Sequence, residues 1–277
     1  MNTRNRVAAI AVALATAVTG AVLGPAQANA AGSIPTIRAT VGNTTIRLTS
    51  HTVTSGLVRF TVVAPTARTV QLYRLRTGYT RGAFRRDLED ATMGMVDAVR
   101  RVDHGVVWAG GAEAKRFRPG RFAQRLTAGT YFLMDQNGPA RTWLTVTGKA
   151  RPRGGIATAG VIVGTAQERF RAPLVLPHRS WVVFKASPGE PHYLLMQRVK
   201  LGTTRADVRK FISSGAHHRP RWLRRGEAAS GMISGGSRTL FHYNLPAGRY
   251  VLLCYWPSSK TGLPQADMGM YRMINLR

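Results

Sequence analysis

Residues 245–270 hold the side chains best suited to chemistry, because they include Cys254, the single cysteine of the chain. Cys254 lies in the apolar run of residues 250–256, which begins after the sequence PAGR and ends before the sequence PSS. A short aromatic and aliphatic run between Pro and Gly residues predicts a β-strand buried on both faces. One cysteine cannot form an internal disulfide, so we expect its thiol to be buried, bound to a metal or paired with another molecule.

The order of features in this stretch resembles the cupredoxin family of β-sandwiches, of the plastocyanin and azurin type. The features are a proline and a glycine, an aromatic strand that ends in Cys254, a polar loop, a Gly-Met pair and a last strand. In that family the loop between the last two strands supplies a Cys, a His and a Met to copper, and an earlier strand supplies another His. The resemblance therefore implies that His192, Cys254 and Met270 occupy ligand positions, with Gln265 in the place of the second His.

Gln265 leaves more than one interpretation of this ligand set. A type-1 copper site uses two imidazoles, a thiolate and a weak axial ligand, and an amide is a poor substitute for an imidazole. The first interpretation is a degenerate set kept for packing, with no cofactor. The alternatives are a copper site in the second half of the chain, or a weak or different metal site. In the first half Arg68 matches His192 and Asp135 matches Cys254, so no ligand set is expected there.

An internal repeat accounts for the elements that would position these residues. Residues of one type recur in the same order in both halves, in these pairs: Phe60 and Phe184, Arg74 and Arg198, Gly78 and Gly202, Thr80 and Thr204. Most of each half alternates apolar and polar residues with a period of two, which is typical of strands. The repeat predicts an all-β protein made of two tandem cupredoxin-like Greek-key β-sandwich domains, each with a short inserted helix.

The two inserted helices are predicted from different signals. In the first half, apolar residues at Phe84, Leu88, Ala91 and Met95 follow the i, i+4, i+7, i+11 spacing of one helix face. In the second half, the sequence that starts at Thr204 has the form of a capping box.

Four segments follow from these patterns. Residues 1–30 combine a basic start, an Ala-rich and Val-rich apolar run and an A-x-A site, which predicts a signal peptide and a secreted, extracellular protein with no membrane-spanning segment after cleavage. Residues 31–147 are predicted to be the first sandwich domain and residues 159–277 the second. Residues 148–158 include the Gly-rich sequence GKARPRGG and are predicted to be a linker.

The chain is strongly basic, with 40 Lys and Arg residues against 12 Asp and Glu residues and a formal charge of +28. Two arginine-rich segments contain an aromatic residue, and guanidinium groups pair well with phosphate and carboxylate. The neighbouring arginines oppose binding of a metal cation by His217 and His218. The alternative is that the arginines are scattered, solvated charges. The candidate residues for binding a polyanion are Arg116, Arg118, Arg121, Arg219, Arg221, Trp222, Arg224 and Arg225.

The sequence carries none of the common catalytic motifs, such as G-x-S-x-G, the phosphate-binding G-x-x-x-x-G-K-[ST] loop or H-E-x-x-H. We therefore expect no enzymatic activity. The predicted function is that of a secreted binding or structural protein whose basic surface meets anionic cell-wall or extracellular polymers, without specific recognition of nucleic acid. The alternative is a copper-binding or electron-transfer protein that uses the second half.

Overall fold

Strands are the predominant secondary structure in the computed structural model, which describes residues 33–150, 154–215 and 219–277. Three sequence-based predictions lie wholly or partly outside these residues: the signal peptide of residues 1–30, residues 151–153 of the linker, and the pair His217 and His218. Within the described ranges, no helix is long and apolar enough to cross a membrane.

The elements follow one another in a similar order in the two halves. The first half contains β1 (Thr36–Val41), β2 (Ile46–Leu48), β3 (Thr52–Thr54), β4 (Gly56–Val63), β5 (Arg68–Leu75), α1 (Arg81–Thr92), α2 (Val96–Gly105), β6 (Val106–Ala114), β7 (Gly120–Leu126), β8 (Gly129–Asp135) and β9 (Arg141–Thr147). The second half contains β10 (Val161–Gly164), β11 (Phe170–Arg171), β12 (Val175–Leu176), β13 (Arg179–Ala186), β14 (Leu195–Val199), α3 (Arg205–Ser213), β15 (Leu223–Ala229), β16 (Arg238–Asn244), β17 (Gly248–Leu253) and β18 (Tyr271–Leu276).

The strands form three sheets, one of which is shared by both halves. The shared sheet has eight strands in the order β11-β10-β13-β16-β7-β4-β1-β2, and it passes from one half to the other where β16 pairs with β7. Each half adds a sheet of five strands, β3-β9-β8-β5-β6 in the first and β12-β18-β17-β14-β15 in the second. Buried residues of all three sheets form one hydrophobic cluster. The prediction of two β-sandwiches is confirmed, while the domain boundaries around residues 148–158 stay a prediction.

Local signals account for both predicted helices. The Thr80 hydroxyl accepts a hydrogen bond from the Ala83 N–H at 3.1 Å and caps α1. Thr204 caps α3 through a complete capping box, in which its hydroxyl accepts from the Asp207 N–H and the Asp207 carboxylate accepts from the Thr204 N–H. A helix after each of the repeated threonines is thus confirmed.

The extent predicted for the first helix was wrong. Phe84 and Ala91 are buried as expected, but α1 ends at Thr92 and Gly94 turns the chain with φ of +82°. Met95 therefore lies off the apolar face and is 57% exposed. The chain then forms α2, which the sequence analysis did not predict.

A second contact joins the halves, between β6 and the segment of residues 230–233. Gln71 is fully buried there, and its amide nitrogen donates to the carbonyl oxygens of Gly110 and Met232 at 3.0 and 3.1 Å. Its amide oxygen accepts from the Met232 N–H at 2.6 Å. The backbones lie so close that a Cβ atom on Gly231 would be 2.6 Å from backbone atoms of Gly110 and Gly111.

We expect Gly231→Ala to lower the free energy of unfolding by about 2–3 kcal/mol, because the added methyl group meets backbone atoms that cannot rotate away. Gly155→Ala is the matched control, since a Cβ atom there meets no atom within 4 Å. Thermal unfolding of both variants, followed by circular dichroism, makes the comparison. Equal melting temperatures would contradict the close contact between the halves.

Candidate functional site

The four predicted ligand positions lie together in the second sandwich. His192 precedes β14, Cys254 directly follows β17, and both Gln265 and Met270 belong to the loop before β18. All four side chains are fully buried. A Cβ atom on Gly164 of β10 would lie 2.5 Å from His192 Cδ2 and 2.9 Å from Met270 Cε, so these two side chains contact the same glycine.

The amide group of Gln265 connects this cluster. Its oxygen lies 2.7 Å from Nδ1 of His192 and accepts a hydrogen bond from the Cys254 thiol at 3.2 Å. Its nitrogen donates to Oε2 of Glu190 at 3.1 Å and to the carbonyl oxygen of Pro191 at 3.3 Å. The two ends of the amide therefore have different partners, which determines its orientation.

This orientation also determines the tautomer of His192. An amide oxygen can only accept, so Nδ1 of His192 carries the proton and donates it to Gln265. The other ring nitrogen, Nε2, is buried without a hydrogen-bond partner within the described residues. Burial lowers the pKa of His192, although the hydrogen bond to Gln265 and the nearby Glu190 act in the opposite direction.

Glu190 holds the amide from the other side, and sequence analysis did not identify it. Its Oε1 accepts hydrogen bonds from the Ser259 N–H, the Ser259 hydroxyl and the Ser258 hydroxyl at 3.0, 2.6 and 3.2 Å. The only signal in the sequence was a carboxylate two residues before His192. Its partners come from a loop more than sixty residues away along the chain, as the contact between Glu190 and Ser258 shows.

The thiol of Cys254 is neutral in this setting. Burial raises its pKa from 9.0 to about 12, although the backbone N–H groups of Tyr193 and Trp256 act in the opposite direction. Metals bind the thiolate and not the thiol, so deprotonation in this buried position opposes binding.

As a set of metal ligands, the side chains of this cluster do not fit a type-1 copper ion. It offers one imidazole, and that imidazole donates the proton of Nδ1 to the same oxygen that accepts from the thiol. Within the described residues, no three or more His, Cys, Asp and Glu side chains are grouped so that they could hold a metal ion.

The equivalent position in the first sandwich contains an ion pair. Arg68 and Asp135, which match His192 and Cys254 in the repeat, lie 3.1 Å apart from Nη1 to Oδ2. Asp135 is buried, and its Oδ1 accepts from the Asn137 N–H at 3.0 Å. The two positions are therefore linked in both halves, directly in the first and through Gln265 in the second.

The two arginine-rich segments of the sequence meet at one groove, although they belong to different halves. The groove has a volume of about 460 Å³. Phe117 lies at its edge, is 88% exposed and has the Arg116 guanidinium 5.1 Å from its ring centre. The charged side chains that line the groove are Lys115, Arg118, Arg219, Arg224, Arg225 and Glu227.

Three of the predicted polyanion-binding residues are placed differently. Arg121 belongs to β7 in the shared sheet, where it pairs with His242 of β16. Trp222 is half-buried and packs edge-on against Phe211, with ring centres 5.6 Å apart. Arg221 does not line the groove. Its backbone carbonyl accepts a hydrogen bond from the side chain of Arg224, which does, at 2.8 Å.

On addition of Cu(II), we expect no intense blue charge-transfer band from the wild-type protein, because the second imidazole is missing. Gln265→His supplies that imidazole and is expected to bind Cu(II) more tightly than the wild type. Absorption spectra and metal analysis test both statements, with Gln265→His combined with Cys254→Ala as the control that lacks the thiolate. A strong blue colour in the unaltered protein would show that the present donors suffice.

The raised pKa of Cys254 predicts a loss of stability at high pH. Above pH 9 the unfolded thiol loses its proton while the folded thiol keeps it up to about pH 12, so the folded state becomes less stable as pH rises between these values. The slope is roughly 1.4 kcal/mol per pH unit. Chemical unfolding of the wild type and Cys254→Ala from pH 8 to 11 measures it, and parallel curves would contradict the assignment.

No protein-family model matches the chain, and no curated protein matches it. Among solved structures, it is similar to a dithionite-reduced auracyanin from the photosynthetic bacterium Roseiflexus castenholzii, with 16% identity and a TM-score of 0.28 over 44% of this chain and 99% of the other. It is also similar to a multi-copper oxidase from Pediococcus acidilactici, with 8% identity and a TM-score of 0.27 over 88% and 59% of the two chains. A copper-containing nitrite reductase from Thermus scotoductus SA-01 has 10% identity and a TM-score of 0.23 over 90% and 68%.

These values say nothing about activity, and they identify no substrate or cofactor for this chain. The arrangement of strands in the chain itself carries the structural conclusion: each half is a two-layered β-sandwich, and the loop between β17 and β18 brings the predicted ligand positions to one place. The fold of this protein is a pair of two-layered β-sandwiches joined through one shared sheet.

Proposed function

We propose that this protein is a secreted, non-catalytic binding protein that attaches to anionic polymers outside the cell through its arginine-rich surface. The observation that carries the proposal is the groove in which residues 115–118 and 219–225 meet. These segments lie about a hundred residues apart in sequence and in different halves, and each brings arginines to the same cavity. Such convergence favours a binding role over scattered, solvated charges.

The charges in the groove leave arginines free for a ligand. Lys115 is paired with Glu227 at 2.5 Å and with Glu113 at 3.3 Å. Arg118 donates to the backbone carbonyl of Glu227, which orients its guanidinium group without neutralising it. Arg118, Arg219, Arg224 and Arg225 form no ion pair with a carboxylate among the described residues.

A groove of this size and charge suits one or two anionic groups at a time. Guanidinium groups pair with phosphate or carboxylate through parallel hydrogen bonds. A polymer carries many phosphate or carboxylate groups, so when one group dissociates from the groove a neighbouring group can bind in its place. Many weak contacts then give a stable association.

The buried cluster supports the non-catalytic part of the proposal. The thiol of Cys254 and the imidazole of His192 are both fully buried, and both donate to Gln265. A nucleophile or general base must contact its substrate, whereas these two buried groups contact Gln265.

Copper binding is the second candidate, and one observation favours it: His192, Cys254 and Met270 lie together. The raised pKa of the Cys254 thiol and the presence of a single imidazole weigh against it. The spectra of the wild type and Gln265→His decide between the two candidates.

Binding to an immobilised anionic polymer should weaken steeply with salt. Each anionic contact releases a counterion, so the logarithm of the affinity falls with the logarithm of the salt concentration by about 0.7–0.9 per contact. For the variant with Arg219, Arg221, Arg224 and Arg225 all changed to Gln, we expect earlier elution from a polyphosphate column and a slope smaller by about 2–3, because three of the four line the groove.

A matched variant separates the groove from the overall charge. It replaces four exposed cations on helices, Arg85, Arg86, Arg209 and Lys210, with Gln and removes the same charge. Equal shifts of the two variants would attribute retention to net charge, and the groove would then have no special role.

A further inference from the structure

The outer face of the shared sheet carries a second and larger set of cations. Side chains alternate between the two faces of a strand, and in this sheet one set of positions is buried in the common core. The other set points away from the core. The cations at these outward positions are Arg38, Arg47, Arg59, Arg121, Arg125, Arg171, Arg179, Lys185 and Arg238.

The strand register places these cations on one continuous surface. Arg38 pairs with Thr61, Thr61 with Arg121, Arg121 with His242, and His242 with Trp181, which leads across both halves. With neighbouring strands about 4.8 Å apart, eight strands span roughly 34 Å. The surface therefore extends over both sandwiches and crosses the junction between β7 and β16.

No carboxylate shares this face within the described residues. The 12 acidic residues of the chain all lie elsewhere, in the helices, in the strands of the five-stranded sheets or in loops. None of the nine cations forms an ion pair with any of them. Nine like charges held this close repel one another, so an anionic partner would relieve the repulsion.

The centre of the face contains an aromatic pair, Trp181 and His242, which is also in contact with Arg59. Trp181 and His242 have ring centres 5.1 Å apart, and the Arg59 guanidinium lies 5.8 Å from the Trp181 ring. The pKa of His242 is lowered to about 4, first by burial and then by Arg121 and Arg179. The part of this shift that comes from Arg121 and Arg179 follows from their position beside the imidazole.

We infer that this outer face is the docking surface for a flexible, linear phosphodiester polymer that carries no aromatic bases. The inference rests on the proposed function and identifies the class of polymer and the place where it binds. Eight of the nine cations are arginines, and a tetrahedral phosphate can accept hydrogen bonds from two guanidinium groups on neighbouring strands. The aliphatic stems of the arginines cover the sheet between the contacts.

The shape and the aromatic residues favour this polymer over other anionic partners. A sheet of eight strands is twisted, so a flexible chain can follow it while a flat bilayer touches only part of it. Duplex DNA is stiff over about 150 base pairs and meets the same difficulty. Single-stranded nucleic acid binds through free aromatic surfaces on which bases stack, and Trp181 is instead covered by Arg59 and His242.

The test measures binding of the full chain to synthetic poly(glycerol phosphate) of defined length, by calorimetry at several salt concentrations. The sheet-face variant changes four exposed residues, Arg38, Arg125, Arg179 and Arg238, to Gln, and it leaves the half-buried Arg59 and Arg121 intact so that folding is preserved. The groove variant and the helix variant described above remove the same charge from other places. Circular dichroism verifies that each variant is folded.

We expect the sheet-face variant to lose about 100-fold in affinity at low salt and to lower the salt slope by about 3, and the helix variant to lose less than threefold. A loss confined to the groove variant would overturn the sheet-face inference and leave the proposed function standing. No binding of the wild type to this polymer or to polyphosphate would refute the proposed function itself. Equal losses in all three variants would overturn both, because net charge alone would then explain binding.

Two further measurements test which class of polymer binds and whether it binds at the outer face of the shared sheet. Oligothymidylate with the same number of phosphates, and vesicles of anionic phospholipid, replace the polymer in the same assay; tighter binding of either one overturns the choice of a polymer without bases. The pKa of His242, followed by NMR, is expected to rise above about 4 when poly(glycerol phosphate) binds beside Arg121 and Arg179. An unchanged value at saturation would place the polymer elsewhere.

Discussion

The pairing of β7 with β16 is the interaction on which the rest of the structure depends. Phe241 pairs with Phe122 at its centre, and Phe122 stacks on Phe60 with ring centres 4.6 Å apart. Because this single ladder makes one sheet from two, the buried faces of both halves belong to one core, and the outward faces become one surface. The same junction holds Lys115 and Arg118 close to Arg225, which produces the groove. A half produced alone would expose an unpaired central strand, and such an edge is prone to aggregation.

Gln265 shows how a polar group is accommodated in the core of the second half. Both ends of its amide have hydrogen-bond partners, and the charged member of the network, Glu190, also accepts from Ser259. Removing one partner from a satisfied buried network leaves the other with a desolvation cost of about 1–3 kcal/mol, so the members depend on one another. Arg68 and Asp135 have the same relation in the first half, with charge in place of neutral groups.

Sequence reasoning succeeded where the signal was local. The apolar run before Cys254 predicted β17, and the threonines at Thr80 and Thr204 predicted where two helices begin. It could not place residues whose position depends on distant parts of the chain. Arg121 was predicted to bind a polyanion together with Arg116 and Arg118, which lie close to it in sequence, and the register of β7 in the shared sheet places it on the outer face, away from the groove. Glu190 has no local pattern at all, since its role exists only once the loop before β18 has folded onto it.

The two satisfied clusters have a consequence for how this protein reaches its final state. In a metalloprotein the bound ion stabilises the folded chain by an amount that grows with the free concentration of that ion. Here Gln265 and Arg68 hold the two clusters together through contacts within the chain, which do not depend on the free concentration of any ion. These contacts therefore form as the chain folds, and the groups that make them need no separate loading step.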